Sequence, residues 1–135
     1  MKDRVLIDTS IWIEFFNKDS TQPGDLLKEM LLEGRATTAG IILAELLQAA
    51  RIEKEFEAIL SIVSAVPVLE ANLETWVQAG RISFGLRRKG ITIPVTDVVI
   101  GALALQNDCQ VFSLDPHFEK IPNLKRFEFD KVQGR

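Results

Sequence analysis

Val5-Leu6-Ile7-Asp8-Thr9-Ser10-Ile11-Trp12 passes from an apolar run into an acid and two hydroxyls, then returns to apolar residues. The segment from Arg4 to Ile7 is continuously apolar after Arg4, so it reads as a short strand buried on both faces. Ser10 is placed to cap a helix over about Ile11 to Phe16, which Asn17-Lys18-Asp19-Ser20 would end.

The same alternation continues along the chain. Gln22 to Leu32 reads as a helix with Leu26, Leu27, Met30 and Leu31 on one face and Gly34 as its stop, and Arg35 to Thr38 as a second short strand. Ala39 to Arg51 is too long for a strand and rich in Ala and Leu, so it reads as a buried helix. Glu53 to Val63 continues as a helix with Phe56, Ile59, Leu60 and Val63 in one stripe. Ala65 to Leu69, which carries Pro67, is expected as a strand near an edge. Leu73 to Lys89 is expected as a long helix in which Trp76, Val77, Ile82, Phe84 and Leu86 provide apolar surface, closed by Gly90. Thr96 is placed to cap a helix from Asp97 to Gln106, with strands expected at Gln110 to Leu114 and Phe127 to Phe129. Strands alternating with helices imply an α/β fold: one domain over residues 1–135, with a central, mostly parallel sheet of about five strands and helices on both faces.

Composition supports this reading. With 135 residues, 47% of them hydrophobic and 26% charged, the chain has the size and balance of one globular domain. No apolar run approaches a membrane span, and Met1-Lys2-Asp3-Arg4 leads into a strand-like segment rather than a signal peptide's apolar core. Cys109 is the only cysteine, which excludes an internal disulfide and fits a reducing compartment. A cytoplasmic protein without membrane association is the expectation. The net charge of −3 argues mildly against nucleic-acid binding, although a bound cation would change the local sign.

Four acids stand where an uncompensated charge is costly. Asp8 ends an apolar run, Glu45 interrupts Ala39 to Ala50, Asp97 opens the apolar stretch Val98 to Leu105, and Asp115 follows Val111-Phe112-Ser113-Leu114. In an open parallel sheet the ligand crevice lies beyond the carboxyl ends of the strands, where Asp8 and Asp115 fall; Glu45 and Asp97 lie near starts of helices facing that edge. Converging carboxylates match the oxygen ligands of Mg²⁺, and an ion so held would polarise a phosphodiester and lower the pKa of a bound water.

Each acid also has a structural explanation. Asp8 could cap the first helix, Asp97 complement a helix dipole, Asp115 start a turn before Pro116, and Glu45 pair with Arg51 or Arg81. Four such coincidences at one sheet edge weigh less than a common cation. His117, the only histidine, excludes a zinc site of several histidines; a surface or packing role is preferred to contact with metal or phosphate. Arg87-Arg88-Lys89 reads as a solvated helix end, and Trp12, Phe15, Phe16, Trp76 and Phe84 as core or interface rather than base-stacking groups. A Ser/His/Asp set and a Gly-rich phosphate loop are weak candidates in this chain.

At these residues the chain resembles the PIN-domain family, and within it the VapC toxins of type II toxin-antitoxin pairs. The resemblance is carried by Val5 to Trp12, by Leu43-Ala44-Glu45-Leu46-Leu47, by Ile93-Pro94-Val95-Thr96-Asp97-Val98-Val99-Ile100-Gly101-Ala102, and by Val111-Phe112-Ser113-Leu114-Asp115-Pro116-His117-Phe118. It implies a Mg²⁺- or Mn²⁺-dependent endoribonuclease that hydrolyses RNA, with Asp8, Glu45, Asp97 and Asp115 as metal ligands and Ser10 and Ser113 supporting them. It also implies a homodimer inhibited by a VapB-like antitoxin that inserts a segment into the acidic groove. His117 stands where many relatives carry a further acid, which leaves one or two metals open and groups His117 with the supporting positions. Gly101 replaces a common Ala. The alternative is a non-catalytic α/β regulatory module with an acidic Mg²⁺ pocket, similar in layout to a response-regulator receiver. A receiver, however, is expected to carry paired acids after its first strand, and here Thr9 follows Asp8.

Overall fold

β1 (Val5–Ile7) is buried at all three positions: it has a strand on each edge, and the flanking helices cover the faces of the sheet. The computed structural model describes residues 3–129. The other strands are β2 (Ala36–Ala39), β3 (Val68–Leu69) and β4 (Gln110–Phe112), and the helices are α1 (Thr9–Phe16), α2 (Gln22–Leu32), α3 (Gly40–Gln48), α4 (Glu53–Val63), α5 (Leu73–Arg87) and α6 (Val95–Gln106). A short 3-10 helix, Pro116–Lys120, follows β4. The strand order is β3-β2-β1-β4 and every pairing is parallel, with Val5 opposite Ala36 on one side and Gln110 on the other. This is the expected α/β architecture with flanking helices, built on four strands.

The differences from expectation have local causes. Phe127 to Phe129 is not a strand. The chain touches β4 through one parallel bridge between Val111 and Arg126, where the Val111 amide donates to Lys125 O at 2.9 Å and the Phe127 amide to Val111 O at 2.8 Å. Beyond that point side chains replace the ladder: the Phe127 and Phe129 rings pack on Phe112 at 4.9 and 5.5 Å between centroids. α1 begins at Thr9 with Asp8 as its N-cap, so Ser10 lies inside the helix. α6 begins at Val95 after Pro94 and has no side-chain cap, which leaves Thr96 in its first turn. The bounds of α2 and α4 are as expected, and β3 is a two-residue edge strand following Pro67.

Gly34 and Gly90 follow α2 and α5 in left-handed conformations, φ +71° and +79°, the geometry that favours glycine after a helix. Gly101 has a different reason. A Cβ there would lie 2.6 Å from Ile121 Cδ1, so its absence lets the chain after the 3-10 helix pack closely on α6. The core gathers β1, Trp12, Leu27, Ile42, Ile100, Leu103, Phe112 and Phe118, all at most 1% exposed. Cys109 is buried, as a small packed hydrophobe would be. Among the described residues no helix is long and apolar enough to cross a membrane.

α5 departs from a purely core-facing helix. Thr75, Ala79 and Leu86 are buried and α5 packs mainly on α6, but Leu73, Trp76, Val77 and Phe84 are 78%, 52%, 49% and 60% exposed. With Gly80 they form one stripe opposite the buried face.

Candidate functional site

Asp8 follows β1 without an intervening residue and continues its pairing with β4: the Asp8 amide donates to Phe112 O at 2.9 Å. Its carboxylate is buried, and three donors converge on one oxygen. Asp8 Oδ2 accepts from Ser113 Oγ at 2.6 Å, Ser10 Oγ at 2.9 Å and, more weakly, the Ser10 amide at 3.4 Å. Asp8 therefore caps the helix and is held by two hydroxyls as well. Those hydroxyls accept in turn, Ser10 Oγ from the Leu114 amide at 3.0 Å and Ser113 Oγ from the Asp115 amide at 2.9 Å. The start of α1 is thereby tied to the loop after β4.

Asp115 does start a turn: its Oδ1 accepts the His117 amide at 2.9 Å and caps the 3-10 helix. The same oxygen lies 2.9 Å from His117 Nδ1, which also stands 2.8 Å from Asp97 Oδ2. Nδ1 facing two carboxylates carries the proton. Asp97, the third residue of α6, is thus brought to the loop after β4 by the imidazole. Among the described residues Asp97, Asp115 and His117 form a group whose ligand atoms lie within 4.8 Å of one another, the geometry of a metal-binding cluster.

Glu45 is in the second turn of α3 rather than at its start, and Thr9 Oγ1 donates to its Oε1 at 2.7 Å. This bond joins Glu45 to the residue next to Asp8. Arg51 pairs with Glu55, and among the described residues neither Arg51 nor Arg81 forms an ion pair with Glu45, so the structural alternative for this acid has no partner. The structure accordingly gathers Asp8, Ser10, Asp97, Ser113, Asp115 and His117 by direct contacts and mutual charge, and links Glu45 to them through α1.

In all four acids one carboxylate oxygen is fixed by a donor and the other is uncommitted among the described residues: Asp8 Oδ1, Glu45 Oε2, Asp97 Oδ1 and Asp115 Oδ2. Among the described residues no lysine or arginine forms an ion pair with any of the four. The electrostatic consequence is visible at Asp97, whose carboxyl is pushed above its ordinary pKa by burial and by the negative charges of Asp115 and Asp8, against the opposing hydrogen bond from His117. His117 is raised by its hydrogen bond to Asp97 and by the charges of both acids. An anionic group of carboxylates with oxygens uncommitted among the described residues is the donor set of a divalent cation that takes oxygen ligands.

Residues 5–124 match the PIN domain family. The chain belongs to the PIN-domain family. It is 28% identical over 133 residues to ribonuclease VapC11 of Mycobacterium tuberculosis, covering 93% of this chain and 98% of that protein, and equally to a VapC ribonuclease of Mycobacterium bovis. Among solved structures, VapBC2 of Rickettsia felis bound to a promoter DNA fragment superposes with a TM-score of 0.78 at 21% identity, over 93% of this chain and 98% of the other. VapBC-1 of nontypeable Haemophilus influenzae gives 0.75 at 21% identity, over 92% and 96%. At such identities these structures establish the fold.

Two site features of this PIN domain were not anticipated from sequence. Thr9 as the partner of Glu45 had a faint signal, since it adjoins Asp8 in a conspicuously polar triplet. The joining of Asp97 to Asp115 by His117 had none beyond the presence of a histidine, because the contact spans 20 residues.

Proposed function

We propose that the chain, residues 1–135 forming one PIN domain, is the toxin of a VapBC-type pair: a Mg²⁺- or Mn²⁺-dependent endoribonuclease in which Asp8, Glu45, Asp97 and Asp115 hold the metal. The observation that carries this reading is the set of four carboxylates, each oriented by a protein donor and each keeping one oxygen uncommitted among the described residues. A bound divalent ion there supplies Lewis-acid polarisation of a phosphodiester and a water of lowered pKa. The protein's part is orientation. Ser10 and Ser113 hold Asp8 at a fixed angle, Thr9 does so for Glu45, and the amide of His117 for Asp115. Prepaid ordering of this kind is what a metal site needs to bind with little rearrangement.

The test is cleavage of a total RNA pool by the purified protein. Cleavage is expected with Mg²⁺ or Mn²⁺ and loss of all cleavage with EDTA, with sequencing of the new RNA ends giving the cut site. RNA left intact under every metal condition sinks the assignment.

Two partners belong to the same proposal. A VapB-like antitoxin is supported by the VapBC assemblies among the structural relatives, and an apolar groove of about 490 Å³ between α1, α3 and α4, with Ile13, Phe16, Leu46 and Ile59 in its walls, suits its side chains. A second copy of this chain is supported by the exposed α5 stripe. Antiparallel pairing of two α5 helices about Gly80 would set Trp76 of each copy against Phe84 of the other. The same pairing would set the acidic first turn at Glu74 toward the basic last turn at Arg87. Phe84→Glu is expected to convert a dimer into a monomer in light scattering coupled to size exclusion; an unchanged mass for the variant rules out this face.

A further inference from the structure

His117 offers a nitrogen to a site whose other donors are oxygens. The imidazole sits on both Asp97 and Asp115, and its side chain is 41% exposed. At that exposure the ion pairs contribute little to folding, so stability is a weak reason for the arrangement.

The distances point elsewhere. Ligand atoms about 2.1 Å from a six-coordinate ion stand about 3.0 Å apart at adjacent vertices. His117 Nδ1 lies 2.8 Å from Asp97 Oδ2 and 2.9 Å from Asp115 Oδ1, which are such edges. The Nδ1 lone-pair direction thus faces the two carboxylates that a cation bound to this nitrogen would share, and small side-chain shifts would bring their oxygens to it. The ring is also fixed from its own backbone, since the His117 amide is bonded to Asp115 Oδ1. Binding would release the Nδ1 proton to solvent and form the metal–nitrogen bond with the lone pair it leaves.

We propose that His117 Nδ1 is a direct metal ligand, completing with Asp97 and Asp115 a mixed nitrogen and oxygen site that prefers Mn²⁺ or Co²⁺ to Mg²⁺. This rests on the reading of the acidic groove as a metal centre and specifies which ions it takes. Imidazole binds first-row transition ions far better than Mg²⁺, a hard ion that keeps oxygen ligands and water. The order of affinity among the transition ions is set by the metal, with Co²⁺ above Mn²⁺.

The experiment is titration calorimetry of the full chain with Mg²⁺, Mn²⁺ and Co²⁺, beside His117→Asp, which replaces the nitrogen by carboxylate oxygens. Electron spin-echo spectroscopy of the Mn²⁺ form reads directly bound nitrogen. Wild type is expected to show nitrogen coupling, and His117→Asp to lose it and to shrink the Mn²⁺ over Mg²⁺ preference by about 10- to 100-fold, the span typical of a lost metal-site partner. Metal binding without nitrogen coupling, or with the same preference in both proteins, overturns the role of His117 and leaves the metal centre standing. Absence of binding by all three ions removes the metal centre and this inference together.

Discussion

Asp97→Asn is expected to lower RNA cleavage by at least ~100-fold while leaving the fold intact. The magnitude follows from the position of the side chain: loss of an outer partner of a metal ligand typically costs about 10- to 100-fold, and Asp97 is proposed to touch the ion itself. The sign of the stability change follows from its surroundings. Burial and the charges of Asp115 and Asp8 hold the Asp97 carboxyl above its ordinary pKa, so those surroundings oppose its charge and the neutral amide relieves them. Thermal unfolding of the variant is expected within about 1 kcal/mol of wild type, as for substitutions that leave packing unchanged. A variant that cleaves normally would remove Asp97 from the chemistry, whereas one that unfolds early would make it structural.

Trp12→Ala is the substitution expected to cost most stability. Trp12 is fully buried, edge-on to Phe15 at 5.9 Å and stacked on Phe16 at 6.1 Å, so truncation empties the aromatic cluster of α1, the helix that carries Thr9 and Ser10. Large aromatic truncations in a core cost about 3–5 kcal/mol, which for a domain of this size lowers the melting temperature by roughly 10–20 °C. Trp12→Phe separates the causes. The indole N–H has no protein acceptor among the described residues, so the phenyl ring loses volume and no hydrogen bond to the protein, and a loss well under half that of Trp12→Ala is expected. Equal losses in the two variants would mean that a hydrogen bond, rather than packed volume, holds the tryptophan.

The helices and the acids were readable in the sequence to different depths. α2 and α4 kept their expected bounds because local chemistry ends them: Thr21 caps α2 and Gly34 follows it at positive φ, and the stripe of α4 closes at Val63. Asp8 and Asp115 were legible because each follows a buried strand, and topology sends the ends of parallel strands to one edge. What could not be read depends on tertiary placement. The apolar residues of α5 look alike in sequence, yet Leu86 faces α6 while Phe84 faces solvent, and no periodicity says which side has a neighbour. Phe127 and Phe129 have strand-like spacing, but the sheet offers them one bridge and an aromatic contact instead of a ladder. His117 carries no pattern at all, since its meaning comes from Asp97 on another element.

The pairing of β1 with β4 joins the first and last strands among the described residues, and the serine contact beyond it links Ser10 to Ser113. Contacts of such long range form late, after shorter local ones. During synthesis Asp8 leaves the ribosome well before Ser113, Asp115 and His117, so a fragment cut before β4 has half of Asp8's hydroxyl support and neither Asp115 nor His117. With these groups as the proposed metal ligands, a fragment cut before β4 has no assembled site, and the proposed chemistry waits for β4 to join the sheet.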